Sequence, residues 1–424
     1  MLRKPITAAL ANSVMSALGR TSGTTTLLEN RGPSLNGDVL ANTRTCPARW
    51  RCLRSFSAAR DVNSLIASRR SVSPVTGWPK LRVQALLNDC GELSPPFSGE
   101  QWLSPWLDLY LRPTDQSRVG WLPAPTGGVL LPLMIRPVMR KGIPLRELRF
   151  LGTGDAPADE VTTEYPDVTC DGVTTEQAVT MLAADLRAGR GWDLLAVESA
   201  AEDSLIGQAM AACGAYRQRS GQRYCLDIRS GFEGWLERLG ASSRAKFRRT
   251  LRRVEEHGLT LRTDLPHRDG LEQLALMHQQ RWQSRGQPGV FSSRRFRAFH
   301  LRMLDERRLA ARISGLFADD RPVALWYGFD LGKVRYFYQS GFDAQYADGF
   351  SAGEALHLLM IRDAVERGLH HYDFMKGSDD SWKARFGASG EPMYNWRLPG
   401  KSLRGFLLRV ALHYSARWQQ PEVR

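Results

Sequence analysis

Between residues 310 and 375 the chain sets down three strand-length runs, a glycine-bearing loop, a helix and a fourth strand, with few residues left over. The runs are 310–318, 321–331 and 333–342, separated by Asp319-Asp320-Arg321-Pro322 and Leu331-Gly332-Lys333. Asp, Pro and Gly at those points supply the tight turns of an antiparallel meander. A helix predicted over 353–367 is stopped by Gly368 and leads into a strand at 370–375. A meander that continues through a helix into another strand needs a sheet with helices packed on it, which excludes a helical bundle.

The same alternation runs upstream. Residues 129–135 and 148–151 read as strands, and 175–188 as an amphipathic helix with Ala178, Met181, Leu182 and Leu186 on one side. A buried strand at 194–197, a helix over 200–213 and a strand at 223–228 follow, so this lobe is α/β or α+β. Earlier, 81–86 alternates like a strand, and Phe97, Trp102, Trp106, Leu107 and Tyr110 fall at helical spacing. Beyond Gly231 the pattern predicts helices over 232–239, from a Ser242 or Ser243 cap to about His257, over 271–284 and over 294–308. At roughly 100–200 residues per domain, the chain holds two or three domains. We divide its 424 residues into an extension (1–80), an N-terminal lobe (81–229), a C-terminal lobe (230–400) and a helical tail (401–424).

Composition narrows the classes of function. Hydrophobic residues at 42% and charged residues at 24% exclude wholesale disorder. No apolar run reaches the roughly 18 residues of a membrane-spanning helix. The net charge of +14 suggests nucleic acid, yet the first 80 residues alone carry 12 Lys/Arg against 3 Asp/Glu. The remainder is only mildly basic, and no stable nucleic-acid partner is expected. Residues 1–80, rich in Ser, Thr, Arg and Asn, are expected to be disordered or to precede the true start; a transit peptide is the other reading. Six cysteines without a C-x-x-C pair and eight histidines without H-x-x-x-H spacing argue against zinc chemistry and for a reduced compartment. With neither signal nor span evident, the expected location is the cytoplasm.

Two stretches can carry chemistry. The loop from Gly341 to Gly353, with Gly349 and Ser351 inside it, opens onto a helix. Glycine lets backbone approach a ligand, and free N–H groups at a helix start attract anions such as phosphate. The spacing is neither a Walker A loop nor G-x-G-x-x-G, and a glycine-softened connection is the plain alternative. The second stretch places Asp373, Lys376 and Lys383 beyond the end of a strand, which is the ligand side of open α/β sheets. Asp373 there can act as a base or position an amine, and Lys383 can neutralise a phosphate or developing oxyanion. A turn cap and a solvated lysine are the plain alternatives.

The succession Tyr338-Gln-Ser-Gly-Phe-Asp343, Tyr346, Phe350-Ser-Ala-Gly-Glu-Ala-Leu356, Gly368-Leu-x-x-Tyr-Asp-Phe-x-x-Gly377 and Trp382-Lys-x-x-Phe386 resembles the GNAT-type acyltransferases of bacterial cellulose and exopolysaccharide gene clusters. These are similar in turn to the tandem-GNAT Fem transferases of peptidoglycan synthesis. Further segments fit: Ser243 to Arg253, His278-Gln-Gln-Arg-Trp282 with Arg285-Gly286, Pro95-Pro-Phe97 with Trp102, Leu131-Pro-Leu133 and Phe150-Leu-Gly152. The resemblance spans about residues 81–400.

It implies an α+β fold of two tandem GNAT-like lobes, with mixed central sheets flanked by helices. It also implies transfer of an acyl group from acyl-CoA, acetyl-CoA in particular, to a primary amine such as an amino-sugar of exopolysaccharide or envelope metabolism. Holding the CoA pyrophosphate falls to Ser351, Ala352 and Gly353. Asp373 becomes base or amine orienter, and Lys383 electrostatic support. Tyr338 becomes the proton source for the leaving thiolate, or else a core aromatic beside Tyr336. Arg281, Trp282 and Lys376 line the acceptor site, and no metal is implied. The Gln/Arg-x-x-Gly-x-Gly/Ala signature of many GNAT proteins is absent.

Arg244, Lys246, Arg248, Arg249, Arg252 and Arg253 crowd one predicted helix, with Glu255 and Glu256 at its C-terminal end. That order opposes the helix dipole and points to an anionic partner, whether CoA phosphates, a nucleotide-sugar or tRNA; a solvated face is the plain alternative. A Fem-like transferase using aminoacyl-tRNA is therefore a second reading, although the long coiled-coil insertion of those proteins is missing. A non-catalytic polyanion-binding protein is the third.

Overall fold

The computed structural model describes residues 96–420, apart from 141, 344, 347, 348, 416, 418 and 419. The expected extension, the strand at 81–86 and Cys46, Cys52 and Cys90 lie outside the described residues.

Among the described residues one mixed sheet carries twelve strands. In chain order they are β1 (Gln116–Ala124), β2 (Gly127–Arg140), β3 (Ile143–Phe150), β4 (Thr169–Asp171), β5 (Leu194–Ala201), β6 (Tyr216–Asp227), β7 (Leu259–Arg262), β8 (Arg312–Ala318), β9 (Arg321–Leu331), β10 (Val334–Phe342), β11 (His371–Gly377) and β12 (Ser389–Pro399). The helices are α1 (Glu100–Tyr110), α2 (Thr175–Ala188), α3 (Leu205–Ala212), α4 (Gly231–Arg238), α5 (Ala241–Glu256), α6 (His267–Gln283), α7 (Arg294–Asp305), α8 (Ala352–Glu366) and α9 (Leu403–His413).

The order of elements repeats. Three antiparallel strands, a helix, a parallel strand, a short helical segment and a last strand occur as β1-β2-β3-α2-β5-α3-β6, and again as β8-β9-β10-α8-β11, the 3-10 turn Trp382–Phe386, and β12. Across the sheet the strands run β1-β2-β3-β5-β12-β6-β11-β10-β9-β8-β7, with β4 beside β2. The last strands have thus changed places. β12 pairs antiparallel with β5 over Met393–Pro399 and with β6 over Ser389–Arg397, while β6 pairs with β11. This exchange makes the two repeats one sheet.

Three large apolar clusters cover its faces, with two small ones beneath α9. α2 and α3 pack on β2, β3, β5 and β12, burying Ala178, Leu182, Ala209, Met210 and Trp396. α4, α5 and α8 bury Trp235, Phe247, Leu356 and Ile361 against Trp326 and Phe374. α1, α6 and α7 enclose Phe97, Trp102, Leu274 and Phe299 with Tyr327, Phe329 and Tyr338, joining the start of the first repeat to the meander of the second.

Most elements lie where periodicity places them, and the departures have local causes. The helix expected over 200–213 begins only at Leu205, because β5 continues through Ala201 in pairing with β12. Ser204 caps it, and the Asp167 carboxylate accepts the Leu205 and Ile206 N–H groups. Neither Ser242 nor Ser243 caps α5; Gly240 stands at its N-cap and both serines lie in the first turn. β1, β4, β7 and β12 have no counterpart in the periodicity reading, since their residues are mostly half-exposed or interrupted by Pro and Gly.

Candidate active site

β10 and β11 run side by side only briefly. Val334, Arg335 and Tyr336 pair in parallel with His371, Tyr372 and Asp373, and there the pairing ends. On β10 a bulge at Tyr338 shifts the register toward β9. On β11 the register toward β6 slips between Asp373 and Lys376, where Met375 takes a left-handed φ of 62°. Bulges bend strands and break ladders, so the two strands part into a wedge that opens toward the start of α8.

The near wall of that opening is the loop from β10 into α8. Ser351 caps α8 by accepting the Glu354 N–H, which leaves the Ala352 and Gly353 amides at the helix start. A Cβ on Gly353 would lie 3.4 Å from the Phe342 ring, an ordinary contact. The Arg281 guanidinium sits 4.7 Å from the centre of that ring. α6, which carries Arg281, comes this close because Gly341 has no side chain; a Cβ there would meet Met277 Cβ at 2.7 Å.

α5 supplies cations to the same loop. Lys246 Nζ lies 2.5 Å from Glu354 Oε2, and Arg253 donates to the Gly349 carbonyl at 2.7 Å while lying over Phe350. Lys246, Arg249 and Arg253 share one helical face, of which Lys246 and Arg253 contact the loop and helix start while Arg249, like Arg248 and Arg252, is exposed. Glu354, in the first turn of α8, is held by Lys246 and Thr250.

Inside the wedge, polar groups from three strands and one loop converge. Asp373 is fully buried; Arg223 Nε of β6 donates to its Oδ2 at 2.7 Å and the Met375 N–H to its Oδ1 at 2.7 Å. Tyr165 approaches Oδ1 at 3.4 Å and stacks under the Arg223 guanidinium. Next to it, Glu164 Oε2 accepts the Lys376 N–H at 2.8 Å. Burial pushes the Glu164 carboxyl above its ordinary range, against the pull of Lys383 and Lys376, and the Asp373 charge pushes the same way. Lys376 Nζ donates to Ser199 Oγ of β5 at 2.8 Å, and burial lowers its ammonium below the usual lysine value. Lys383 Nζ, also buried, reaches the Lys376 carbonyl at 2.5 Å.

Of the residues singled out from sequence, Asp373, Lys376 and Lys383 therefore meet at the end of β11. Ser351, Ala352, Gly353 and Arg281 meet at the start of α8. Tyr338 stands among Phe97, Trp102, His300, Tyr327 and Phe329, and burial holds its hydroxyl well above the ordinary tyrosine range. Trp282 hydrogen-bonds its own helix through His278 Nε2 at 2.9 Å. On the opposite face of the wedge, His357 of α8 packs between Phe337 and Phe374, with Nδ1 2.8 Å from the Tyr372 hydroxyl; burial lowers it to about 3.

Sequence reasoning missed Glu164, Tyr165, Arg223, Ser199 and His357. His357 follows directly on the quoted Phe350–Leu356 motif. Arg223 carried no local signal, because its partner lies 150 residues away in sequence. The loop bearing Glu164 has no periodicity to flag it.

Two repeats of one element order, joined through their exchanged last strands, define a GNAT-like fold of two lobes with a mixed sheet flanked by helices. Residues 241–384 match the acetyltransferase (GNAT) domain family, and this stretch spans α5 through the Trp382–Phe386 turn. Among solved structures the chain is similar to FemX, at 12% identity and a TM-score of 0.51, covering 77% of this chain and 96% of that one. It is also similar to L-PGS from Bacillus licheniformis (14% identity, TM-score 0.45, 76% and 98% covered) and to a tandem GNAT protein from the clavulanic acid biosynthesis pathway (14%, 0.40, 76% and 94%). Comparison with curated protein sequences gives no match. The matches do not bear on cellulose or exopolysaccharide synthesis. Among the described residues no group of three His, Cys, Asp or Glu is placed to hold a metal ion, and no helix is long and apolar enough to cross a membrane.

Proposed function

We propose that this protein is an N-acyltransferase that takes an acyl group from acyl-CoA, acetyl-CoA in the first instance, and delivers it to a primary amine on a small acceptor such as an amino-sugar. One observation carries the reading: the wedge between β10 and β11 opens onto free helix-start amides ringed by Lys246, Arg253 and Arg281. A pyrophosphate fits amides and cations of this kind, and an extended thioester arm fits a gap between parted strands. The thioester supplies an acyl carbon already activated toward attack.

The acceptor amine must lose a proton as it attacks. Glu164 is the carboxylate suited to receive it, because burial makes it a stronger base than an exposed glutamate and one oxygen stays uncommitted to Lys376. Asp373, with Arg223 on one oxygen and the Met375 amide on the other, acts as an orienter that fixes β11 where it turns away. Lys376 and Lys383 hold positive charge at the wedge for negative charge developing on the reacting carbonyl. Burial makes the Tyr338 hydroxyl a weaker acid than an ordinary tyrosine's, which favours its reading as a core aromatic beside Tyr336, and the leaving thiolate is met instead by the charge of Lys376 and Lys383. Positioning two substrates in one cleft supplies much of the remaining rate.

A second reading replaces acyl-CoA by aminoacyl-tRNA. The exposed Arg248 and Arg252 beside the cationic row of α5 favour it, since a nucleic-acid donor would contact more of that helix.

Calorimetry with the full chain separates the two. Acetyl-CoA and CoA are expected to bind saturably, and Gly353→Asp, which puts an anion where phosphate would sit but suits a helix start, is expected to weaken binding about tenfold or more without unfolding the protein. Failure of both CoA forms to bind, with tight binding of aminoacyl-tRNA, replaces the first reading by the second.

A further inference from the structure

α9 is apolar on two opposite sides. Its inner side buries Gly405, Leu408, Ala411 and Leu412 against Leu145, Leu194 and Tyr216. The docking is tight: a Cβ on Gly405 would meet the Gly400 carbonyl at 2.3 Å, and the Ser402 cap also donates to Asp193 at 2.6 Å. The outer side carries Leu403 (77% exposed), Phe406 (59%), Leu407 (39%) and, just past the helix, Tyr414 (75%). With half-buried Val410 they follow i, i+3, i+4, i+7 spacing, a continuous stripe pointing away from the sheet.

A stripe of this size on a rigidly held helix needs an occupant, and charge selects among those available. Arg404 flanks the stripe on one side, Arg409 and His413 on the other, with Lys401 before and Arg417 after it. From Gly400 to Gln420 the chain has no Asp or Glu. A second copy would bring the same basic rim against itself. The chain's own first 80 residues, at a net +9, would be repelled as well. An anionic lipid surface accepts both features together: the apolar stripe enters the acyl boundary, and the basic rim meets the headgroups.

We propose that α9 is an interfacial docking helix that seats this protein on anionic membranes, lying in the plane of the surface without crossing it. The seat is distinct from the wedge between β10 and β11, and the proposal does not depend on the donor used there.

Co-sedimentation of the full chain with vesicles of phosphatidylcholine alone, and of phosphatidylcholine mixed with phosphatidylglycerol, tests it. The protein is expected to pellet with the mixed vesicles at least tenfold more strongly, and less so as salt rises. Leu403→Ser combined with Phe406→Ser is expected to abolish pelleting while the thermal midpoint stays unchanged, because both side chains are outside the core. Pelleting that survives this double variant would assign lipid binding to basic residues elsewhere and overturn the proposal. No pelleting of the parent protein would also overturn it, as would light scattering that shows a dimer which the double variant dissolves.

Discussion

Asp373 and Glu164 lie side by side in the wedge, yet their neighbours give them different work. Asp373 is held by Arg223, so Asp373→Asn leaves a buried guanidinium without its hydrogen-bonded counter-charge, with only Glu391 at 3.7 Å. Equilibrium urea unfolding should show a loss on the order of 3–5 kcal/mol, where an exposed carboxylate would show almost none. Glu164→Gln, by contrast, keeps an acceptor for the Lys376 amide and should fold normally. Steady-state assays should find turnover lowered by roughly 100-fold or more, and the rise of rate with pH through the Glu164 ionisation should disappear. Asp373 was legible in the sequence because it stands in a predicted strand within a recognisable motif, although β11 runs past it to Gly377. Its partner was not, because a contact between β6 and β11 is a property of the sheet and leaves no local trace.

α2 shows what local chemistry alone can specify: Thr174 and Gln177 form a capping box, Gly189 ends the helix in a left-handed turn, and the observed bounds are those the pattern predicts. β12 shows the opposite. Glycine and two prolines interrupt its alternation, and it is a strand because β5 and β6 flank it. The wedge depends on a comparable non-local fit between α6 and β10. Gly341→Val would drive a side chain into Met277 and the His278 amide, and thermal unfolding should report a cost of about 1–3 kcal/mol. Gly353→Ala, with only the Phe342 ring near, should leave the melting temperature in place.

For the molecule as a whole, the exchange of β6 and β12 governs cooperativity. A fragment of residues 230–400 leaves β12 without either neighbour and β11 without one, so it should lack a sharp unfolding transition in circular dichroism, whereas residues 96–420 should show one. Three buried histidines also work against the fold in acid, opposed by the buried carboxyls of Glu160 and Asp167, raised to about 7 and about 6. His300 and His357 are lowered to about 3 and His278 to about 4 by burial, so each stays neutral when folded, while the unfolded chain takes up a proton near 6.5. Their contribution is complete above pH 6.5 and is lost as pH falls toward those values. From pH 6.5 to 5 this amounts to about 2 kcal/mol per histidine, and His278→Gln, which keeps an acceptor for Trp282, should make the urea midpoint fall less steeply. The exchange has a consequence for manufacture as well. β12 is the last of the described strands to leave the ribosome; until it emerges β5 has an open edge, and β6 has no partner until β11 arrives and only that one until β12 does. The half that is translated first must therefore wait, unzipped and prone to adhere to other nascent chains, for the half translated last.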